Sequence, residues 1–257
     1  MKMKHQIDVF VFVLLTMGTS AKNVRIVGGQ DADVRTYPFV AVFKHVGQLH
    51  FFCGGAIISN RHVVTSAICL RKELNDFRHL RVYTGISSDP NTGTSHEVKK
   101  ILIHPRFSAT RNSDEMFLHD IAVVKLKQAI QFNEFQSAIE LLNRDVISTE
   151  MGLVLGWGST TYPEDSYPIQ MQKANAHVIP ESMNSRIYTF IMHDTQFAAL
   201  DRNGIGLCTN DGGDPFIIEG KLAGLASIIY RCARGVPDVY TKIYYYIDFI
   251  RDMMLIS

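Results

Sequence analysis

The sequence has little of several features that would assign it quickly to a class. It has no charge excess of either sign, because 26 Lys and Arg residues are matched by 25 Asp and Glu residues and the formal net charge is +1. This balance does not predict nucleic acid or an anionic membrane surface as a partner. Low-complexity segments, internal repeats, Asn-x-Ser/Thr sequons and a metal-ligand spacing among the ten His residues are also missing. We therefore expect no metal, no cofactor and no N-glycosylation.

The sequence also lacks an apolar run long enough to cross a membrane. The longest candidate, Val9–Leu15, is far shorter than the about 20 residues that a spanning helix needs. Basic residues precede this run and the small residues 18–21 follow it, which is typical of a cleaved secretory signal peptide. We expect a signal peptide at 1–21 and a secreted, extracellular protein; the alternative is a membrane anchor.

Cysteine is scarce, with four residues in 257. An even count in an exported chain predicts two disulfides. Four cysteines can pair in about three ways, and their spacing does not determine which pairing forms. The alternative is four free buried thiols.

What the sequence does contain is a series of short apolar or alternating runs separated by turn residues. Runs of this kind, rich in Val, Ile and aromatic residues, predict strands of β-barrels or β-sandwiches. The predicted strands are 39–43, 54–58, 62–65, 80–84, 121–126, 152–158, 216–218, 222–227 and 239–243. A helical spacing occurs at the C-terminus, where Ile243, Ile247, Ile250 and Met254 recur every three or four residues.

Several short motifs follow one another in a specific order. They are Ile26-Val27-Gly28-Gly29, Cys53-Gly54-Gly55, Asp120-Ile121-Ala122, Gly156-Trp157-Gly158, Asn210-Asp211-Gly212-Gly213-Asp214-Pro215 and Val239-Tyr240-Thr241-Lys242. This series resembles the trypsin/chymotrypsin-like serine proteases over about residues 26–257. The resemblance implies an all-β fold, a chymotrypsin-like double antiparallel β-barrel with a C-terminal α-helix, in one domain. It also implies the disulfides Cys53–Cys69 and Cys208–Cys232.

The resemblance places the catalytic triad of that family at three positions of this chain. Asp120 matches the catalytic Asp, whereas Ile68 stands where the general-base His belongs and Gly212 where the nucleophilic Ser belongs. A hydrocarbon accepts no proton and glycine forms no acyl intermediate, so we expect no proteolytic activity. The alternative is a misaligned frame, with His62 or Ser66 as the functional residue, but the adjoining Cys69 and Cys208 fix both frames.

Two further changes lie in the loop that carries Gly212. Asn210 and Asp214 both stand where the family has Gly. Asn tolerates unusual backbone angles less freely than Gly. A carboxylate of Asp214 beside the old site would oppose a developing oxyanion.

An activation site is also implied by the resemblance. Residues 22–25 form a short propeptide, Arg25-Ile26 resembles a zymogen cleavage site, and Asp211 would pair with the freed α-amino group of Ile26. A buried ion pair of this kind forms only with good geometry. We expect cleavage to order the pocket loops; the alternative is an inherited motif with no present use.

The substrate pocket of the family maps onto residues that differ from the usual ones. Gly206 occupies the base, where trypsins carry an Asp, and Ser227-Ile228-Ile229 replaces the usual Ser-Trp-Gly. We expect a narrowed or blocked pocket that excludes large aromatic groups. Asp238 replaces a Gly near the base; it either favours a small basic group or is simply solvated or hydrogen-bonded. The pocket residues are Gly206, Leu207, Ser227, Ile228, Ile229 and Asp238.

The function that this pattern favours is binding by an inactive serine protease homologue. Related inactive members are known among arthropod proteins of immune cascades, saliva and venoms, so the partner is expected to be a protease, a protease inhibitor or a host or pathogen protein. A monomer is expected. The alternatives are a weak or atypical endopeptidase and an inert structural or storage protein.

Overall fold

The strands of the first half of the chain turn apolar side chains toward a closed interior. A computed structural model describes residues 26–86, 92–110, 116–161, 166–230 and 232–256. The strands of this half close into a barrel in the order β2-β3-β4-β7-β6-β5. They are β2 (Val40–His45), β3 (Cys53–Ser59), β4 (His62–Thr65), β5 (Leu80–Thr84), β6 (Thr94–Ile103) and β7 (Ala122–Leu126), and each pairs with its neighbours antiparallel.

The second half builds a second antiparallel barrel. Its strands are β8 (Met151–Gly156), β9 (Gln172–Val178), β10 (Gln196–Leu200), β11 (Pro215–Ile218), β12 (Lys221–Ile228) and β13 (Asp238–Lys242). They follow the order β9-β10-β13-β12-β11-β8, and pairing between β8 and β9 closes the sheet. The short β1 (Gln30–Asp31) adds to the outside of β9. These two six-stranded barrels, with a C-terminal helix, confirm the predicted fold class.

The core consists of several apolar clusters, three of which fill the two barrels and join them. Phe43, Ile57 and Leu80 belong to the apolar filling of the first barrel. Phe197, Phe216 and Tyr240 belong to that of the second. A third cluster includes side chains from both barrels and packs between them; Val64, Val123, Leu155, Trp157, Leu225 and Ile250 are among its members.

The helices are few. Two short ones are α1 (Ala67–Leu70) and α2 (Asn184–Ile187), and α3 (Ile247–Ile256) is the C-terminal helix, preceded by a 3-10 turn at Tyr244–Tyr246. Ile250 of α3 is fully buried, and Met253 and Met254 pack against the cluster between the barrels. Within the described part of the chain, no helix is long and apolar enough to span a membrane. The expected signal peptide (1–21) and propeptide (22–25) lie outside the described residues.

Candidate functional site

The carboxyl group of Asp120 joins segments of both barrels. Its Oδ1 accepts a hydrogen bond from the backbone N–H of Ile68 at 2.7 Å, and its Oδ2 accepts one from the hydroxyl of Ser227 at 2.7 Å. Thr241 donates to the main-chain oxygen of Asp120 at 3.0 Å. Because Ile68 belongs to α1 and Ser227 to β12, this buried carboxyl connects α1 with the edge of the second barrel.

Burial raises the pKa of Asp120 to about 7, while the hydrogen bonds from Ser227 and Ile68 lower it. Burial dominates because a carboxylate without water or a nearby cation loses most of its solvation. The carboxyl is therefore held by neutral donors on both oxygens.

The side chain of Ile68 is part of an apolar surface. It is half-buried and packs against the cluster that contains Phe117, Ile228 and Val239. No proton can pass through this side chain, since it has neither donor nor acceptor. At this position the site is hydrophobic.

Gly212 lies in a tightly connected loop beside the disulfide Cys53–Cys69. Its carbonyl oxygen accepts from the N–H of Gly54 at 2.8 Å. A Cβ built on Gly212 would lie 3.4 Å from each of the two sulfur atoms, which is ordinary van der Waals contact. A side chain at this position would therefore find space.

Asn210 adopts a left-handed backbone conformation, with φ at 74°. Asn tolerates this region better than most residues. Its side-chain amide donates to the hydroxyl of Tyr167 at 3.1 Å, and the ring of Tyr167 stacks on His50 with centroids 4.2 Å apart. Asn210 thus adopts the backbone conformation at this position, where the family has Gly. Its side-chain amide is hydrogen-bonded to Tyr167 of a neighbouring loop.

The side chain of Asp214 does not lie where the sequence predicted, which was beside the expected catalytic site as a negative charge. Its side chain is 1% exposed and points into the protein, where its carboxyl oxygens fill the space over Gly54 and Gly156. Burial and the neighbouring Asp211 raise its pKa well above the usual value. A neutral, inward-facing carboxyl does not oppose an oxyanion, so that electrostatic argument does not hold in the folded protein.

Asp211 and Ile26 are both buried, as the activation motif requires. The oxygens of Asp211 accept from the backbone N–H groups of Gly158 at 2.7 Å and Cys208 at 2.8 Å. Ile26 lies in the core of the second barrel, and the carbonyl of Val27 accepts from the N–H of Gly206 at 3.1 Å. Arg25, the expected cleavage site, lies outside the described residues, so cleavage stays a prediction.

The carboxyl of Asp238 is bound to the two walls of the expected pocket. It accepts the N–H of Leu207 at 3.1 Å and the N–H of Tyr230 at 2.8 Å. Burial raises its pKa to about 7. A Cβ on Gly206 would lie 3.3 Å from Oδ2 of Asp238, so the carboxyl lies at the pocket base. Asp238 is therefore hydrogen-bonded to the protein itself, which is one of the two predicted alternatives, and this does not favour a carboxylate that binds a basic group of a ligand.

Ile229 packs against the core of the second barrel, to which the fully buried Leu207 also belongs. A branched side chain turned inward here occupies space that glycine would leave open. This contact favours the predicted narrowing of the pocket.

An apolar groove of about 330 Å³ runs beside Ile68 and shares one wall with the expected pocket. It is lined by Ile68, Met116, Phe117, Ser227, Ile228, Ile229 and Tyr230. Tyr230 packs in turn against Tyr188, with ring centroids 5.5 Å apart and the ring planes tilted by 39°. The sequence analysis found one side of this groove and missed Met116, Phe117 and Tyr230, because their loops carry no local motif.

Both expected disulfides are formed, Cys53 with Cys69 and Cys208 with Cys232. The first lies against Gly212, and the second connects the loop before Asp211 to the segment that leads to Asp238. Within the described residues, no group of three or more His, Cys, Asp or Glu side chains is arranged to hold a metal ion.

Comparison with known proteins matches residues 26–250 to the family model described as Trypsin. A trypsin of Phaedon cochleariae is 29% identical over 238 residues, covering 90% of this chain and 88% of that protein. A trypsin of Simulium vittatum is 32% identical over 231 residues, covering 85% of this chain and 88% of that protein. The structure of mouse neuropsin, a serine protease, superposes with a TM-score of 0.77 at 23% identity, covering 88% of this chain and 98% of the other. The last likeness concerns the fold alone.

Proposed function

The chain belongs to the trypsin family of serine proteases, and from that premise we propose that it binds another protein without cutting it. The observation that carries this proposal is Gly212. It occupies the nucleophile position with no side chain, although a Cβ there would have ordinary contacts. Acyl transfer needs a nucleophilic atom at this place, and glycine has none.

The base position supports the same proposal. In a working triad, the carboxylate orients an imidazole and stabilises its charge. Here the oxygens of Asp120 accept from the N–H of Ile68 and the hydroxyl of Ser227. Asp120 thus has a structural role, joining the two barrels, that would retain it without catalysis.

The apolar groove beside Ile68 is the surface that we assign to binding. Pairing between β11 and β12 ends at Pro215 and Leu225. Beyond that point Ile228 of β12 pairs with Val239 of β13, while Ser227 lies in an irregularity of that ladder and has no register partner among the described strand pairs. An extended segment of a partner can add to such a strand edge through main-chain hydrogen bonds, with alternate side chains entering the groove. The occupant is therefore an extended segment of another protein with apolar side chains.

Export is part of the proposal. The two disulfides and the leader-like composition of residues 1–21 support a secreted protein, since disulfides persist in oxidising compartments. The partner would then be extracellular.

Binding is tested with fluorescein-labelled hexapeptides that carry Leu or Phe at alternate positions, against the same peptides with Glu. Met116→Glu introduces a charge into the groove and is expected to weaken binding by about 10-fold or more. Met151→Glu is the matched control, because Met151 is 59% exposed and does not line the groove. Equal binding of both variants, or no preference for the apolar peptides, would contradict the assignment.

A weak endopeptidase is the second candidate, and the names of the relatives favour it, since two of them are trypsins. It is tested by incubating the protein, before and after treatment with trypsin and its removal, with a panel of peptide esters. Turnover that is absent in Asp120→Ala would support the endopeptidase. Turnover no greater than that of Asp120→Ala supports binding alone.

A further inference from the structure

Two buried carboxyl groups meet behind the Gly212 loop. Around a Cβ built on Gly156, the nearby atoms include Oδ2 of Asp214 and Oδ1 of Asp211. The two side chains lie within hydrogen-bonding range of each other. Both residues are nearly inaccessible to solvent, Asp214 at 1% and Asp211 at 0%. Two ionised carboxylates so close together and so deeply buried would repel each other strongly.

The hydrogen bonds show which of the two carries a proton. Asp211 accepts backbone N–H groups of Gly158 and Cys208, and these donors stabilise its ionised form. Among the described residues, no donor reaches Oδ2 of Asp214. A buried oxygen with no donor is costly as an acceptor, but as O–H it becomes a donor itself. Asp214 is therefore the acid, and it donates to Asp211.

The positions of the two carboxyl groups depend on three glycines, two beside Asp214 and one beside Asp211. A Cβ on Gly54 or Gly156 would collide with the carboxyl of Asp214, and one on Gly158 would collide with that of Asp211. The main chain of Asp214 is fixed as well. Its N–H donates to the carbonyl of Asp211 at 3.1 Å, and its carbonyl accepts from Ala226 at 2.9 Å.

We propose that the carboxyl group of Asp214 supplies, within the uncut chain, the donor that the family resemblance would assign to a new N-terminus at Ile26. The loop 206–215 is then ordered whether or not the chain is cut after Arg25. In this arrangement Asp214 is a positioning residue, which acts through Asp211 on the loop that carries Gly212. The inference concerns the same site as the proposed binding role but does not depend on that role.

The test is hydrogen exchange of the amides in 206–215, measured without partner or substrate. The protein is expressed from its full coding sequence, kept uncut by Arg25→Gln, and compared with protein whose cleavage after Arg25 is verified by N-terminal sequencing. Protection in the uncut and cut forms is expected to agree within about 2-fold. Slow exchange that develops only after cleavage would overturn the proposal.

Two variants separate the hydrogen bond from simple packing. Asp214→Gly removes the donor, so exchange in the uncut loop is expected to rise by about 10-fold or more and to return towards the original rate after cleavage. Asp214→Asn keeps an N–H donor of similar shape and should remain protected without a cut. Protection in uncut Asp214→Gly equal to that of the parent would also overturn the proposal. If the Gly variant does not fold, the comparison of cut and uncut parent protein still tests the proposal. Asp214→Asn provides a second test, since loss of protection in its uncut form would count against the donor role.

Discussion

The backbone N–H of Ile68 donates a 2.7 Å hydrogen bond to Oδ1 of Asp120, although the side chain of Ile68 offers that carboxyl nothing. The main chain at the expected base position thus keeps its contact with the expected triad carboxyl, while the reactive ring is replaced by a hydrocarbon. The same division holds at Gly212, whose carbonyl still accepts from Gly54 while no side chain is present. At both positions the main-chain hydrogen bonds are present, while the side chain has no acid–base or nucleophilic group.

Restoring both lost side chains, in Ile68→His with Gly212→Ser, is expected to recover little activity. A hydroxymethyl group fits, because the Cβ position has ordinary contacts. However, Asn210 and Ile229 remain, and one misplaced oxyanion donor alone costs a factor of about 100 to 1,000. We expect kcat/KM for a peptide ester to stay at least about 100-fold below that of a trypsin assayed in parallel. Ile68→His alone is the control, and activity equal to the trypsin would show that the remaining changes are incidental.

Removing the carboxyl of Asp120 should destabilise the protein. Asp120→Ala leaves the N–H of Ile68 and the hydroxyl of Ser227 without their acceptor in a buried place. Each unsatisfied buried donor costs about 1–3 kcal/mol, so the free energy of unfolding should fall by about 2–6 kcal/mol in denaturant titration. Asp120→Asn retains one acceptor oxygen and should lose less. A change below about 0.5 kcal/mol in the Ala variant would argue against the structural role of Asp120.

The fold was largely predictable because most strands are locally apolar, whereas β6 and β9, two of the strands that were missed, are not. In β6, Glu97, Lys99 and Lys100 interrupt the apolar pattern, and a shift of register between Val98 and Lys100 disturbs the alternation. The inward side of β9 includes Gln172 and small alanines, and the side-chain N–H of Gln172 donates to the carboxyl of Asp31 at 2.8 Å. Polar and small residues carry a weak strand signal unless the hydrogen-bond partner is known.

The sequence predicted the site residues that lie within recognisable motifs, but not the contacts between segments that are remote in sequence. The positions of Ile68, Asp120 and Gly212 follow from adjoining motifs, so they were assigned from sequence. The inward turn of Asp214 depends on Gly54 and Gly156, which are remote in sequence and only become neighbours in the fold. No local pattern encodes such a contact.

Opening the expected pocket tests the role of Ile229. Ile229→Gly removes the side chain that packs against the core of the second barrel, so a small aromatic probe such as indole is expected to bind the variant and not the parent protein. Ile229→Val is the control, because it keeps a branched side chain. Binding is measured by calorimetry. Indole binding to the parent protein would show that the pocket is not closed, and no binding to Ile229→Gly would show that another residue closes it.

The carboxyl of Asp238 should make stability depend on pH in a defined direction. Its pKa is raised to about 7 by burial, above the ordinary value for an Asp in an unfolded chain, so the folded state holds the proton more tightly. The stability that this proton contributes is fully present below about pH 4 and is lost as the pH rises towards 7. We expect the free energy of unfolding of the parent protein, relative to that of Asp238→Asn, to fall between pH 4 and 8, by about 1.4 kcal/mol per pKa unit. The comparison with the variant cancels the opposing contributions of buried histidines such as His62, whose pKa is lowered by burial. Asp248→Asn, at an exposed helix position, is the control. A flat difference for Asp238→Asn would mean that this carboxyl is ionised in the folded protein at neutral pH.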